Sequence, residues 1–543
     1  MPVTRRSLIK VAAAAPFLAA MPALADGPAP GENTAPGDET APGDGPARDD
    51  SLRADIRRSA RFLGLPGFVA GVVRDGKLSL VQAEGFADLE GRTPLRRDHL
   101  FYLASVTKTF TAVMMMQYVQ EKKISLDDYV LDYPFLAIGF TADRLLDPNV
   151  KLKHVLSHTS EGKPGDQFVY SGGRYNFVYG VFEKLSGNTT RPRACAQEFR
   201  KRVQEPLGLT STLAGHPVDP KDPRVERIAT PYFLDSGHKT ATKDGGASGA
   251  TTLFPGTGLL SGVGDLAKYM IALDENVLIS SESYARVTTP FALNDGRLSP
   301  YGLGWSTQTV GGHAVHWHYG FGDSYSALLV RVPGKKTSFI FLSNSGAASA
   351  PFLLGFGNVL TSPFAVAFLK ASLPGALSGE DSDFSQTFTA HYAESALGRD
   401  RGEAKTLLRK LRSAAPTRFS SSDRAFIWLV SDTSDPAFSG EVDSLAEAYR
   451  ASGDFHPDVS LAVANYYEKT GEPAKRDQFL RQIADRIGYG ELGSTREACV
   501  RLGAELLRSG KTEEGRRYLW TAARYAQTMD PDSQQRIVRS LKP

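Results

Sequence analysis

The sequence predicts an α+β domain followed by an all-α domain. Pairs of strand patterns lie at the two ends of the first domain, at 68–81 and 325–342. Helical patterns at 108–122 and 264–273 lie between them, and strand patterns disappear from Phe384 onward. Strands at both ends with helices between them indicate a layered fold whose sheet draws on both ends of the domain.

Each pair of strand patterns predicts a hairpin. Residues 68–73 and 78–81 are apolar and flank the sequence Arg-Asp-Gly-Lys, a strong turn signal. Residues 325–332 and 337–342 are joined through Pro-Gly. The second half of the chain instead shows helical pairs separated by glycine turns. These pairs cover 462–471 with 473–484 and 502–510 with 512–526.

Composition shifts divide the chain into five segments. We expect a signal peptide at 1–25, a disordered acidic Pro/Gly linker at 26–50, a first domain at 51–374, a second linker at 375–383, and an α-helical repeat-like domain at 384–543. Two roles are open for the last domain. It either binds a protein partner or packs on the first domain as a structural appendage.

The first segment is typical of an export signal. Arg5 and Arg6 precede a weakly apolar run at 11–20, and the segment ends in Ala-Leu-Ala at 23–25. Twin arginines favour the bacterial route for folded proteins, and the run is too short for a stable membrane span. We therefore expect a periplasmic or secreted protein. An ordinary Sec signal and an uncleaved anchor are the alternatives.

Composition excludes several classes of function. The 543 residues carry 63 Lys plus Arg and 60 Asp plus Glu, a net charge of +3, so no basic field predicts a nucleic-acid partner. Cys195 and Cys499 lie too far apart in sequence to suggest a disulfide scaffold or a thiolate zinc site. His313, His316 and His318 match no common zinc spacing, so we expect no metal and no organic cofactor.

A Ser-x-x-Lys motif carries the candidate chemistry. Ser105 and Lys108 are three residues apart at the start of a helical pattern, and residues at this spacing share a helix face. A serine becomes a nucleophile when a neighbouring base removes its proton, and a lysine can serve if burial lowers its pKa. The alternative is a helix-capping serine beside a solvated lysine.

Further motifs follow the Ser-x-x-Lys motif in a fixed order. They are 152–162, 168–175, 258–267, 301–305 and 318–322. Together they resemble the serine β-lactamase and penicillin-binding-protein superfamily, in its class C-type branch, over about 62–344. The resemblance implies an antiparallel sheet flanked by helices with a mostly helical insert. It also implies a serine hydrolase that acts through an acyl-enzyme.

The resemblance also implies roles for individual residues. Ser105 matches the nucleophile, Lys108 its partner, and Tyr170 the tyrosine that moves a proton between serine and leaving group. The backbone N–H groups of Ser105 and Phe321 would form the oxyanion hole.

Two more positions match the third motif of the family. His318 and Gly320 stand in its His-x-Gly form. His318 would present a donor to the substrate carboxylate or to Tyr170. His158 is expected to be a structural histidine bound to nearby backbone.

One position departs from the family pattern. Gly172 stands where the family has an asparagine that steadies the lysine and binds the substrate amide. Asn176 is near in sequence but at the wrong spacing. The departure favours a small ester or a D-amino-acid peptide over a β-lactam as substrate. The alternative function is a catalytically weak, peptidoglycan-binding protein whose helical domain recruits a partner.

Overall fold

The computed structural model describes most of both predicted domains. It covers residues 45–134, 147–188, 191–214, 222–234, 240–245, 253–352, 354–377, 439–453, 455–485 and 492–526. The expected signal peptide, residues 26–44 of the first linker and residues 378–438 lie outside these ranges. The expectations made for those segments therefore stay predictions.

Strands and helices are numbered here along the chain. The strands are β1 Gly67–Arg74, β2 Lys77–Asp88, β3 Thr93–Pro94, β4 Phe101–Tyr102, β5 Leu213–Ala214, β6 Tyr232–Leu234, β7 Ala241–Lys243, β8 Leu259–Ser261, β9 Ser306–Val310, β10 His313–Gly322, β11 Tyr325–Val332 and β12 Thr337–Ser343. The helices are α1 Gly45–Phe62, α2 Thr107–Gln120, α3 Leu152–Leu156, α4 Tyr179–Ser186, α5 Arg191–Phe199, α6 Val263–Asp274, α7 Ser281–Thr288, α8 Pro363–Ser372, α9 Ser439–Ala451, α10 Pro457–Lys469, α11 Pro473–Ala484, α12 Leu492–Arg508 and α13 Thr512–Ala526.

The main sheet joins the two ends of the first domain. Among the described residues it has seven strands in the order β3-β2-β1-β12-β11-β10-β9, and all neighbours are antiparallel. Strand β1 pairs with β12 from Phe68 opposite Ser343 to Arg74 opposite Thr337. Both predicted hairpins are present, and the α+β fold class is confirmed.

The sheet separates two apolar layers, because alternate side chains on a strand point to opposite faces. Val72 and Phe339 lie in the cluster that also contains apolar side chains of α1 and α8. Val73 and Ile340 lie in the opposite cluster, which contains side chains of α2 and α6. The insert contains helices α2 to α7 and the short strands β5 to β8, and its buried helix α2 leads away from the candidate nucleophile.

Helix α1 extends into the segment predicted to be the first linker. Helix α1 begins at Gly45, so residues 45–50 belong to the folded domain and the predicted boundary at residue 50 is wrong. Asp49 forms an ion pair with Arg74 of the first hairpin at 2.6 Å. Leu52 and Ile56, further along the helix, are buried against the sheet. These long-range contacts fix the helix start, and local composition does not reveal them.

The C-terminal region is helical, as predicted. Helices α10 with α11 and α12 with α13 reproduce the two predicted pairs, and α9 precedes them. Apolar side chains of these helices continue the core cluster of the first domain. The ring of Phe356, which precedes α8, meets the ring of His456 edge-on, with 4.9 Å between the ring centroids. The predicted repeat character of this region stays a prediction.

Two properties of the described chain bear on membranes and thiols. No helix in the described ranges is both long and apolar enough to cross a membrane. Cys195 and Cys499 are both buried and carry free thiols. Burial raises the pKa of the Cys499 thiol to about 12, and the pKa of Cys195 is also raised by burial, so both are poor nucleophiles.

Candidate active site

Ser105 lies in a single turn of 3₁₀ helix, Ala104–Val106, directly before α2. Ala104 has a φ of 43°, in the left-handed region that non-glycine residues rarely adopt. The preceding Leu103 donates its N–H to the Leu259 carbonyl of β8 at 2.9 Å. The serine is thus fixed at a strained turn between a strand and a helix, and its side chain is half-buried.

Lys108 lies one turn further along the helix and is completely buried. Its Nζ lies 2.9 Å from the Ser105 hydroxyl oxygen and donates to the Gly256 carbonyl, also at 2.9 Å. Burial lowers the pKa of this amine from 10.5 to about 7. A neutral lysine beside a hydroxyl can accept the hydroxyl proton, which is the geometry that a nucleophilic serine needs.

Tyr170 reaches the same place from a distant loop. Lys108 Nζ lies 5.5 Å from the centroid of its ring, and its hydroxyl oxygen is buried. The ring packs at 4.3 Å on His158 and at 5.5 Å on Tyr319, measured between centroids. The structure therefore brings a phenol, an amine and a serine hydroxyl together from segments that are far apart in sequence.

His318 is placed differently from the expectation. Its side chain is completely buried, and Nδ1 lies 2.7 Å from the Tyr319 carbonyl oxygen, which can only accept a hydrogen bond. Nδ1 therefore carries the hydrogen, and Nε2 accepts from the Tyr301 hydroxyl at 2.8 Å. Burial, with the charge of Lys108, lowers the pKa of the ring to about 3. Both nitrogens are occupied, so the predicted donor to a substrate carboxylate or to Tyr170 is wrong.

Gly320, two residues after His318, is required for a steric reason. A Cβ at Gly320 would lie 2.1 Å from the Leu103 carbonyl oxygen, so only glycine lets β10 approach the segment before the serine. The next residue, Phe321, lies opposite Ser326 in the β10–β11 ladder. This close approach brings the Phe321 end of the strand toward Ser105, as a two-donor oxyanion hole requires.

Sequence comparison identifies the family. A sequence model of the β-lactamase family matches residues 52–355, more than half of the chain. The chain belongs to the β-lactamase family. The matched range begins in α1 and ends just before α8, so it contains the sheet, the insert and every candidate site residue.

Individual relatives in the β-lactamase family are distant. A D-aminopeptidase of Brucella anthropi is 24% identical over 300 residues, which cover 50% of this chain and 54% of that protein. Esterase EstB of Burkholderia gladioli is 36% identical over 119 residues, 21% of this chain and 28% of the esterase. The solved octameric penicillin-binding protein homologue from Pyrococcus abyssi has a TM-score of 0.48 and 22% identity, and covers 60% of this chain and 79% of that chain.

The similarity extends over only part of these relatives. The chain spans only about half the length of the D-aminopeptidase. The relatives that the chain matches within this family are named a D-aminopeptidase and an esterase.

The departure at Gly172 leaves open space rather than a repacked site. Gly172 is exposed, and a Cβ there would have no neighbour within 4 Å. The carboxamide near the lysine comes instead from Asn176, whose Oδ1 accepts the Gly256 N–H at 2.8 Å. Sequence reasoning set Asn176 aside, because the family spacing gives it no role and its link to Lys108 passes through a third segment.

A layer of buried rings lies under the site and was only partly predicted. His158 accepts the Ser171 N–H at its Nδ1, at 3.2 Å, which confirms its structural role. Tyr175 donates its hydroxyl to the Lys108 carbonyl at 3.2 Å, and Tyr301 binds His318. Tyr301 opens the Tyr-Gly-Leu-Gly-Trp motif, so a signal existed for that residue.

The expected lack of a metal concerns the histidines of β10. His316 binds the Tyr284 hydroxyl through Nδ1 at 3.0 Å, whereas His318 binds Tyr301. Across the described part of the chain, no three His, Cys, Asp or Glu side chains converge in a way that could hold a metal ion.

Proposed function

We propose that this chain cleaves small esters or amides through an acyl-enzyme on Ser105. The observation that carries the proposal is the 2.9 Å contact between a completely buried Lys108 amine and the serine hydroxyl. The depressed pKa of that amine supports it, because a base with a pKa near the working pH is the most effective.

The proposed reaction has two symmetrical halves. Neutral Lys108 accepts the Ser105 proton as the oxygen attacks the carbonyl carbon, and the backbone N–H groups of Ser105 and Phe321 hold the resulting oxyanion. Tyr170 gives its proton to the departing alcohol oxygen or amine nitrogen as the bond to carbon breaks, and it takes up in return the proton that Lys108 accepted, so that both groups are restored. Water then attacks the acyl group by the same route, which releases an acid and restores the serine.

We propose that the substrate carries no carboxylate next to the bond that is cleaved. Both ring nitrogens of His318 are bound to groups of the protein, and Gly172 has no side-chain amide. Burial and then the Lys108 amine lower the pKa of His318, and the proposed reaction needs that amine as a neutral base. A neutral ester or amide fits such a site better than a penicillin or a peptide with a free C-terminus.

The names of the relatives agree with this choice. Esterase EstB is named for ester hydrolysis, and the D-aminopeptidases are named for release of an N-terminal residue. Neither name implies that the enzyme binds a carboxylate of its substrate near His318. A penicillin-recognising protein without turnover is the outcome that would replace the present proposal.

Intact-mass analysis with a panel of acyl donors tests the proposal. The panel is a p-nitrophenyl ester, a D-amino-acid amide, a penicillin and a D-Ala-D-Ala peptide. We expect a transient acyl adduct and turnover with the ester, with the amide or with both, and little or no adduct with the other two. A long-lived penicillin adduct without ester or amide turnover would support the binding-protein alternative instead.

We also propose that the reaction takes place outside the cytoplasm. The twin arginines and the Ala-Leu-Ala sequence at 23–25 support export of the folded enzyme. Replacing Arg5 and Arg6 together by lysine should retain the precursor in the cytoplasm. Continued export of that variant would assign the segment to the Sec route or to an anchor.

For the C-terminal helices we propose a structural role. Their apolar side chains share one core with the sheet, and His456 packs on Phe356. An extended apolar contact of this kind holds two regions together, whereas a recruiting module needs a free face. A protein partner for these helices has no support in the described contacts.

A further inference from the structure

Gly256 connects Asn176 to the candidate base through two neighbouring peptide groups. The Gly256 carbonyl accepts a hydrogen bond from Lys108 Nζ at 2.9 Å. The N–H of the same residue donates to Asn176 Oδ1 at 2.8 Å. Asn176 therefore holds the peptide group before Gly256, and the lysine binds the peptide group after it.

Gly256 is closely surrounded by Asn176, Gly172 and Lys108. A Cβ at this position would lie 2.9 Å from Asn176 Oδ1, 3.0 Å from the Gly172 carbonyl oxygen and 3.4 Å from Lys108 Nζ. Contacts below 3.4 Å are tighter than side chains normally accept, so glycine is required here. The amide oxygen of Asn176 and the lysine amine are accordingly both close to one backbone atom.

The turn that carries Gly256 is fixed at its other corners. Phe254 and Thr257 exchange backbone hydrogen bonds at 2.8 and 3.1 Å. Thr111 of α2 donates its hydroxyl to the Pro255 carbonyl at 2.8 Å. Thr111 and Asn176 thus bind the two ends of the Pro255–Gly256 peptide group, and the bond to Asn176 lies next to the carbonyl that binds the lysine.

We propose that Asn176 is a positioning residue for Lys108, which does from its own place on the chain what the family asparagine does from the position of Gly172. The inference rests on the proposed function, since it assigns Lys108 the part of the base. Asn176 acts through the backbone of Gly256 and does not touch substrate. The site therefore keeps a carboxamide in its lysine network although the family motif is broken.

The surroundings of the amine allow a charge test. Tyr170 and Tyr175 face Lys108 with their rings 5.5 and 5.4 Å from Nζ, between ring centroid and nitrogen. His158 and His318 lie close enough for their pKa values to be lowered by the lysine charge. None of these four groups is a carboxylate, so an aspartate at position 176 would introduce a new type of neighbour.

Two substitutions separate the hydrogen bond from the charge. Asn176→Ala frees the Gly256 N–H, and we expect acylation by a p-nitrophenyl ester to slow by about 10-fold to 100-fold, because small misplacements of a catalytic group have effects of this size. Asn176→Asp keeps an acceptor for that N–H and adds a negative charge. We expect it to raise the midpoint of the pH–acylation profile by about one pH unit.

A second-site substitution tests the equivalence with the family position. Gly172→Asn adds a carboxamide in open space, so it should fold normally. In the Asn176→Ala background we expect it to restore at least about half of the lost acylation rate on a logarithmic scale. A purely structural loss at Asn176 would show no such rescue.

Ser280→Ala serves as the matched control. Ser280 also accepts a backbone N–H, that of Ser283 at 3.2 Å, and its own N–H binds Gln120 at the far end of α2. We expect this variant to lose a similar amount of thermal stability to Asn176→Ala and to keep the wild-type acylation rate and pH profile.

Direct titration of Lys108 by NMR, with lysine labelled at the ε-carbon, completes the test. We expect the Lys108 midpoint to rise in Asn176→Asp, and this measurement needs no turnover. It therefore separates failure of the inference from failure of the serine chemistry. An unchanged Lys108 titration in Asn176→Asp, or an Asn176→Ala variant that acylates like Ser280→Ala, would overturn the assignment.

Discussion

The amine of Lys108 lies 2.9 Å from the hydroxyl oxygen of Ser105, at the buried start of α2. An ammonium ion in that place would have to be stripped of water, so burial favours the neutral amine. The same contact that orients the serine thus also supplies a base for it. The fold fixes the position of this pair, because the apolar side chains of α2 are buried in the core.

Removing the amine should separate catalysis from stability. In Lys108→Met we expect acylation to fall about 1000-fold, the size of a lost general base. Stability at neutral pH should be equal or higher, because a polar group leaves an apolar site and the volume is kept. Stopped-flow acylation and a thermal melt measure the two effects. A variant that acylates normally would mean that Lys108 is not the base.

The rate of acylation should depend on pH through Lys108. Because the pKa of the amine is lowered to about 7, the neutral, proton-accepting form predominates only above that value. We expect the acylation rate to rise up to a midpoint near 7 and then to level off, with about a tenfold loss per pH unit on the acid side. Single-turnover rates between pH 5 and 9 check this shape. A flat profile would contradict it.

Gly320→Ala should damage the oxyanion hole. The new Cβ would lie 2.1 Å from the Leu103 carbonyl oxygen, so β10 has to move away from the serine and carry the Phe321 N–H with it. We expect acylation to slow by about 100-fold or more. Gly334→Ala is the control, because a Cβ there meets nothing within 4 Å. Equal rates for the two variants would remove Phe321 from the hole.

His318 should not select substrates by charge. Because both of its nitrogens are bound inside the protein, His318→Gln should lower kcat/KM for p-nitrophenyl butyrate and for mono-p-nitrophenyl succinate alike. We expect the ratio of the two values to stay within about threefold of wild type. A selective loss for the succinate ester, which carries a carboxylate, would show that His318 does face the substrate.

Truncation after Ser382 should destabilise the β-lactamase-family domain. The cut removes His456 from the ring of Phe356 and exposes the part of the core that the C-terminal helices cover. We expect a loss of melting temperature of about 5 °C or more. Differential scanning calorimetry of the two chains makes the comparison. Unchanged melting and unchanged hydrolysis would favour a partner-binding role for the helices.

The parts of the fold that depend on short-range signals could be predicted from the sequence. Asp75 and Gly76 both have positive φ in the first hairpin, as the Asp-Gly signal requires. The Ser105–Lys108 contact follows from the spacing of one helical turn. The boundary of α1 could not be predicted, because the Asp49–Arg74 ion pair joins segments that local composition does not connect.

The candidate site contains both kinds of residue. Tyr170 was found through the family resemblance, and the structure brings it to the amine. The environment of His318 could not be read from its motif, because its partner Tyr301 comes from another segment of the chain. Asn176 was missed for a similar reason, since it is connected to Lys108 through the backbone of Gly256. Contacts of this kind depend on tertiary structure and leave no fixed spacing.

Peptide mapping after reaction with a fluorophosphonate probe tests directly whether Ser105 is the nucleophile. Trypsin cleaves after Arg97 and Lys108, so the peptide Asp98–Lys108 contains Ser105 as its single serine. We expect one adduct on that peptide, located on Ser105 by fragmentation, and no adduct in a folded Ser105→Ala variant. A probe attached to another peptide, or labelling that persists in Ser105→Ala, would contradict it.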